Sequence, residues 1–218
     1  MNRRFSRRSA QFALLALVGL VAFGHARTAS AQDGRSRDPQ AEQFVQSRAQ
    51  KVIAVLADRN LSVTQKKANF HQTIDELADV ARITNFVLGK YARTISPAQR
   101  QQFTSVFRVY AESVYQNRLD DYHGENLRVT GSVVRKPGDV VVNSVVSGGQ
   151  LSQPVPVAWR VLGGGGVWKV VDVQFKGVWL AITQQQDFVS TIDNAGGDVS
   201  VLIAQLQRDA QRPDTGKP

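Results

Sequence analysis

The sequence predicts an α+β fold: N-terminal helices including one long amphipathic helix, a four-stranded and mainly antiparallel curved sheet, and C-terminal helices that close over it. Three observations carry this. Apolar residues recur at helical spacing as far as Tyr122, the period shortens to two in β-branched runs after Gly124, and the helical period returns from Thr183. Helices, then sheet, then helices is the order of a segregated α+β domain, not of alternating crossover units.

Residues 1–31 have the layout of a secretory signal: Arg3, Arg4, Arg7 and Arg8, an apolar run from Phe12 to Phe23, and Ala29-Ser30-Ala31 as the cleavage site. The run is too short for a membrane span, which needs about 20 apolar residues. Cleavage is expected after Ala31, leaving a disordered leader over 32–39, a single domain over 40–211 and a flexible tail over 212–218.

Within the domain, Ala41 to Ala57 aligns Phe44, Val45, Ala49, Val52, Ile53 and Leu56 on one helix face. A second helix is predicted from Thr64 to Leu77, with Phe70, Ile74 and Leu77 inward. A third starts at Asp79 and runs through Ile83, Phe86, Val87 and Leu88, with Gly89 as its C-terminal cap. Ser96-Pro97-Ala98-Gln99 is a capping box with proline at the first helical position, so the long helix starts at Pro97. Phe103, Val106, Phe107, Tyr110, Val114 and Tyr122 form its apolar stripe, and Arg100, Arg108, Glu112, Asn117 and Asp120 occupy other faces.

Four strands are expected over Leu127–Val134, Val140–Val146, Val155–Leu162 and Val167–Phe175. Lys136-Pro137-Gly138-Asp139 reads as a tight turn and Gly163 to Gly166 as a flexible hairpin loop; without a Lys-Ser/Thr ending and a following helix, these glycines are no phosphate cradle. Strict alternation puts Val155, Val157, Trp159 and Val161 on one face with Arg160 on the other, and sets Val171, Val173 and Phe175 opposite Trp168, Val170 and Asp172. The aromatic helix and the C-terminal pair are expected to cover one face of the sheet. Arg160 is expected to pair with Asp172. Helices over Thr183–Ala195 and Asp198–Arg208 flank Gly196-Gly197, a plain loop or a hinge.

The chain has no cysteine, so its fold rests on its core without disulfides or a lipidated cysteine, which suits an exported bacterial protein. The net charge of +9 is largely a property of the leader: five arginines lie in residues 1–31, and the remainder carries 22 bases against 18 acids. No clustered basic stripe suggests nucleic acid. Gly-x-Ser-x-Gly and His-Glu-x-x-His motifs are absent. His71 and His123 are far apart in sequence without a shared acid cluster, which is poor material for a metal site or a triad; no metal and no cofactor is expected.

Several stretches in order resemble the MlaC (toluene-tolerance, auxiliary lipid transport) family, including its hopanoid-associated HpnM branch. They are Phe86-Val87-Leu88-Gly89-Lys90-Tyr91, Ser96-Pro97 with Gln99-Arg100 and Phe103, Phe107-Arg108 with Tyr110, and Tyr115, Leu119 and Tyr122-His123-Gly124. The likeness continues through Val157-Ala158-Trp159-Arg160, Trp168 to Val173, Gly177-Val178, Phe188, and Gly196-Gly197-Asp198-Val199 with Leu202 and Leu206, so that it spans residues 42–209. The resemblance implies a periplasmic carrier with an apolar cavity for acyl chains. Such a carrier moves phospholipid or hopanoid between an outer-membrane lipoprotein complex and an inner-membrane ABC transporter complex with its substrate-binding subunit. Where the family pattern has a small or polar residue after Gly-Val, this chain has Trp179, which would narrow the cavity.

On that implication the expected lining is Phe103, Phe107, Tyr110, Val142, Trp159, Val173, Phe175, Trp179, Phe188 and Ile192. Tyr115, Arg118 and Tyr122 are expected at the mouth near the headgroup, with Lys169 or Arg160 as further phosphate contacts. The expected protein is a monomer. Two other readings stay open: an exported enzyme using Asp172 as a buried carboxylate base, and an adaptor whose interior is solidly packed.

Overall fold

The computed structural model describes residues 36–116 and 122–211. Residues 1–35, which include the predicted secretory signal, residues 117–121 and residues 212–218 lie outside the described residues. The first helix, α1 (Pro39–Ala57), starts on an N-cap: Asp38 accepts from the Ala41 amide at 2.9 Å, and Pro39 supplies a φ already suited to the first turn. The disordered leader expected over 32–39 therefore ends sooner, because Ser36 accepts from the Val134 amide at 3.0 Å and the Asp38 amide donates to Ser132 at 2.8 Å. Arg37 holds Glu42 in a two-point contact, and the Ser132 hydroxyl donates to the same carboxylate. That guanidinium keeps the Glu42 carboxyl below its ordinary range.

Helix α2 (Val63–Leu77) opens on a capping box made by Ser62 and Gln65, and α3 (Val80–Val87) on Asp79. Gly89 has φ +54, as a helix-terminating residue needs, and begins a 3₁₀ turn over Gly89–Arg93. A Cβ at this position would lie 2.7 Å from Val189 Cγ2, so glycine also permits the close approach of the C-terminal layer. Helix α4 spans Pro97–Gln116, and the predicted Ser96–Gln99 box is present in both directions. Tyr122 follows the helix and precedes the first strand, so it is not part of the helical stripe.

The sheet has five strands in the order β1-β2-β3-β4-β5, all neighbours antiparallel. They are β1 (Glu125–Lys136), β2 (Asp139–Gly148), β3 (Val155–Gly164), β4 (Val167–Phe175) and the short β5 (Val178–Trp179), which the sequence reading lacks because two residues carry no period. Pro137-Gly138 makes the first turn. The glycine run is no floppy loop: Gly164 pairs with Val167, and Gly165 and Gly166 both take positive φ, the geometry of a tight primed hairpin turn.

Strict alternation fails once, with consequences. Arg160 faces Asp172 and Val161 faces Val170, so Val171 is an extra residue and β4 is bulged there. The bulge brings Trp168 and Val170 into the same buried cluster as Val140, Val142 and Val161, with Val173 packed on its border. The side opposition predicted for Val173 against Trp168 and Val170 is thereby corrected.

Helix α1 covers this face through Ala41 and Val45, joined by Leu77 of α2. The predicted cover is corrected as well. Helix α4 packs chiefly on α6 (Val199–Ala210) and α3, while α5 (Leu180–Asn194) is the C-terminal helix that meets the sheet, at β4. Gly196 and Gly197 close α5 through amide bonds to Asp193 and Ile192, so the double glycine is a hydrogen-bonded helix end.

Arg160 pairs with Asp139, not with Asp172. Two parallel bonds of 3.0 and 2.9 Å join the guanidinium to a carboxylate that is only 3% exposed. Asp172 sits opposite Arg160 in register, but its carboxylate is turned to backbone amides. Arg160 holds the Asp139 carboxyl below its ordinary value, so its stabilising contribution is complete above the unfolded-state value and is lost as pH falls through the lower folded one. Asp139→Ala is expected to cost about 2 kcal/mol in urea unfolding at pH 7. The difference from wild type should shrink steadily on acidification below the normal carboxylate range; a gap independent of pH would contradict the pairing.

Candidate functional site

Among the described residues, most of the buried apolar side chains fall into two clusters, not one. The helical cluster gathers Val87, Leu88, Phe103, Phe107, Phe188, Ile192, Leu202 and Leu206 from α3, α4, α5 and α6. Phe103 and Phe107 stack with centroids 5.8 Å apart, and Phe188 meets each edge-on at 5.9 Å. The sheet cluster contains Ala41, Val45, Leu77, Val140, Val142, Val161, Trp168 and Val170. Partly buried residues border each: Ile83, Val106 and Tyr110 on the helical cluster, and Ile74, Trp159 and Val173 on the sheet cluster.

The residues expected to line a cavity therefore divide. Phe103, Phe107, Phe188 and Ile192 lie inside the helical cluster with Tyr110 at its edge; Val142 is inside the sheet cluster with Trp159 and Val173 at its edge. Phe175 stands apart, 44% exposed at the end of β4 with the Lys176 ammonium 5.6 Å from its ring centroid. Trp179 is half-buried in the residue before α5. Of the mouth residues, Tyr122 is half-buried ahead of β1, Arg118 lies outside the described residues, and so does the side chain of Tyr115. Lys169 is engaged elsewhere, donating to the carbonyls of Asp75 and Glu76 at 2.8 and 2.7 Å, where a cation suits the C-terminal end of α2. With Arg160 held by Asp139, neither cation offered for a phosphate is unpaired.

A polar bridge joins α2 to α4, and the sequence reading missed it. His71 Nδ1 lies 2.6 Å from Glu112 Oε1, Arg108 Nε donates to the same oxygen at 3.0 Å, and Arg108 Nη2 reaches both Asp75 and His71 Nε2, the latter at 2.8 Å. A guanidinium can only donate, so Nε2 accepts and Nδ1 carries the hydrogen given to Glu112. Asp75 first, then Glu112, raises the Arg108 pKa above its ordinary value. His71, Asp75 and Arg108 are substantially open to water and Glu112 less so, and such exposed pairs are worth about 0–1 kcal/mol each. His71, Asp75, Arg108 and Glu112 each read singly as the wet side of an amphipathic helix; no local signal says that two wet sides meet.

Asp172, 7% exposed, is the buried carboxylate of the sheet without a charged side-chain partner in hydrogen-bond contact, and so the candidate for chemistry. Desolvation raises its pKa. Its Oδ1, however, accepts from Val173 N and from Ala181 N, both at 2.8 Å, and the second bond caps α5 in place of a side chain from Trp179. A depression of about 450 Å³ also lies along α5, lined by Gln185, Gln186, Val189, Ser190, Asp193 and Asn194. It is open, with Asp193 held by Lys90 and Tyr91. No group of metal-binding side chains occurs among the described residues.

The family model for MlaC protein matches residues 46–208. The chain belongs to the MlaC family. Among relatives, it is 26% identical over 132 residues to the intermembrane phospholipid transport system binding protein MlaC of Haemophilus influenzae, a match covering 58% of this chain and 60% of that protein. Among solved structures, it is similar to a phospholipid-binding protein from Ralstonia solanacearum determined in complex with a phospholipid, with a TM-score of 0.70 and 26% identity over 78% of this chain and 96% of that one. The α+β arrangement of a five-stranded sheet and six helices among the described residues thus matches the fold of that phospholipid-binding protein.

The capping role of Asp172 has a direct test. A carboxyl with a raised folded-state pKa adds stability as pH falls, so neutral pH is where its charge is most costly. Asp172→Asn keeps the acceptor without the charge and should be at least as stable as wild type at pH 7, whereas Asp172→Ala should lose about 1 kcal/mol with the cap. Thermal melts of both variants decide this; equal losses would show that the charge itself matters.

Proposed function

We propose that this protein is an exported, periplasmic carrier of phospholipid. In this reading the leader is cut after Ala31 and the mature chain moves lipid between an outer-membrane lipoprotein complex and an inner-membrane ABC transporter. The observation that carries the reading is the likeness to the phospholipid-bound Ralstonia protein over nearly all of that protein's length, in a fold whose apolar interior is already split in two. Each methylene withdrawn from water is worth about 0.8 kcal/mol, so a shuttle must hide both tails while crossing an aqueous space. Each cluster carries partly buried apolar residues at its edge: Val106 and Tyr110 on one, Ile74, Trp159 and Val173 on the other. Dispersion spread over such a set favours a chain of CH₂ groups without naming a headgroup.

Organic extraction of the purified mature protein followed by mass spectrometry should recover phospholipid in near-equimolar amount. Recovery of hopanoid would redirect the assignment to another lipid, and a lipid-free protein that takes up none from vesicles would favour a packed adaptor. Within the carrier reading, Val173→Asp should lower retained lipid at least tenfold, the equivalent of about 1.4 kcal/mol. Replacement of Arg118 should leave retention nearly unchanged. Equal loss in the two variants would shift the binding determinant from the tails to the headgroup.

A further inference from the structure

Helices α2 and α4 carry residues of different hydrophobic clusters: Ile74 and Leu77 belong with the sheet, Phe103 and Phe107 with the helices. Their main packing partners differ too, α2 resting on α1 and β4, α4 on α6 and α3. What joins the two helices is the quartet His71, Asp75, Arg108 and Glu112. These groups sit beside the apolar rows. Asp75 follows Ile74 and Arg108 follows Phe107, each turned about 100 degrees around its helix from that neighbour.

A polar bridge spanned by long side chains, joining two helices whose apolar residues belong to different clusters, suits a closure that must open repeatedly. An apolar seal would cost its full burial each time it parted; exposed ion pairs exchange their partners for water. Three of the four side chains are between 32% and 43% exposed, so water already reaches them. We propose that the seam between α2 and α4 is the portal through which acyl chains enter and leave, and that this quartet is its clasp. The proposal rests on the lipid-carrier reading and adds to it the route. Opening separates α2 with the sheet cluster from α4 with the helical cluster, exposing the border residues of both. Arg108 is the central member, because it carries the permanent positive charge of the quartet and donates to both carboxylates as well as to His71.

The absence of cysteine permits a clean test. In the mature full-length protein, His71→Cys and Glu112→Cys are combined and bridged by a short bifunctional methanethiosulfonate, since a gap filled by two long side chains is wide for a direct disulfide. Uptake of a fluorescent phosphatidylethanolamine from phosphatidylethanolamine/phosphatidylglycerol vesicles, and its return to them, are then followed before and after dithiothreitol. The bridged protein should load and release at least tenfold more slowly than the same protein after reduction, with circular dichroism unchanged. Rates within twofold of each other overturn the portal. Arg108→Ala should in addition release lipid several-fold faster than wild type and lose the acceleration that salt produces by screening the clasp; slower or unchanged release counts against it. If wild type and the reduced variant take up no lipid at all, the carrier reading itself fails, a result distinct from uptake that ignores the cross-link.

Discussion

The bond from the Ala181 amide to Asp172 is the joint on which this architecture depends. Asp172 belongs to the sheet, in register with Arg160, and Ala181 belongs to the first turn of α5, whose Phe188 and Ile192 lie in the helical cluster. A bulge at Val171 brings Trp168 and Val170 to the α1 side of the sheet while Asp172 is left to meet the helix. Displacing one residue therefore sets two things at once, the composition of the sheet cluster and the attachment of the helical one. The burial that raises the Asp172 pKa is the cost of placing a carboxylate at a junction, and two backbone amides offset much of it.

Much of the fold was legible locally. Ser96-Pro97-Ala98-Gln99 stated where α4 begins, Gly89 where α3 ends, and the β-branched runs after Gly124 gave four of the five strands. The failures have a common physical origin. A bulge has no composition of its own, so alternation through Val171 was carried past the point where it held. Which helix covers the sheet depends on tertiary packing, and α1 reads no differently from α4 in amphipathic pattern. The ion pair of Arg160 went to Asp139 because residues on neighbouring strands reach each other diagonally as well as directly.

The candidate site was legible as a set of apolar residues and not as a geometry. Phe103, Phe107, Phe188 and Ile192 come together as the composition suggested, and so do Val142, Trp159 and Val173, but in a different cluster. Core and cavity walls share one alphabet, so periodicity cannot distinguish a residue inside a cluster from one on its border. The polar quartet was less legible still, because its meaning lies in the pairing of two helices.

The two flanks of the sheet have another property. Along β1, the Gln46 side chain accepts from Val129 N and donates to the Leu127 carbonyl, imitating a peptide group, and Ser36 accepts from Val134 N. On the far side, the Asp79 amide donates to the Val170 carbonyl and β5 takes the end of β4. Several backbone amides and carbonyls that would template a foreign strand are thus already occupied on both flanks. A chain without disulfides to lock its strands is in this way guarded against strand addition along those stretches of its edges.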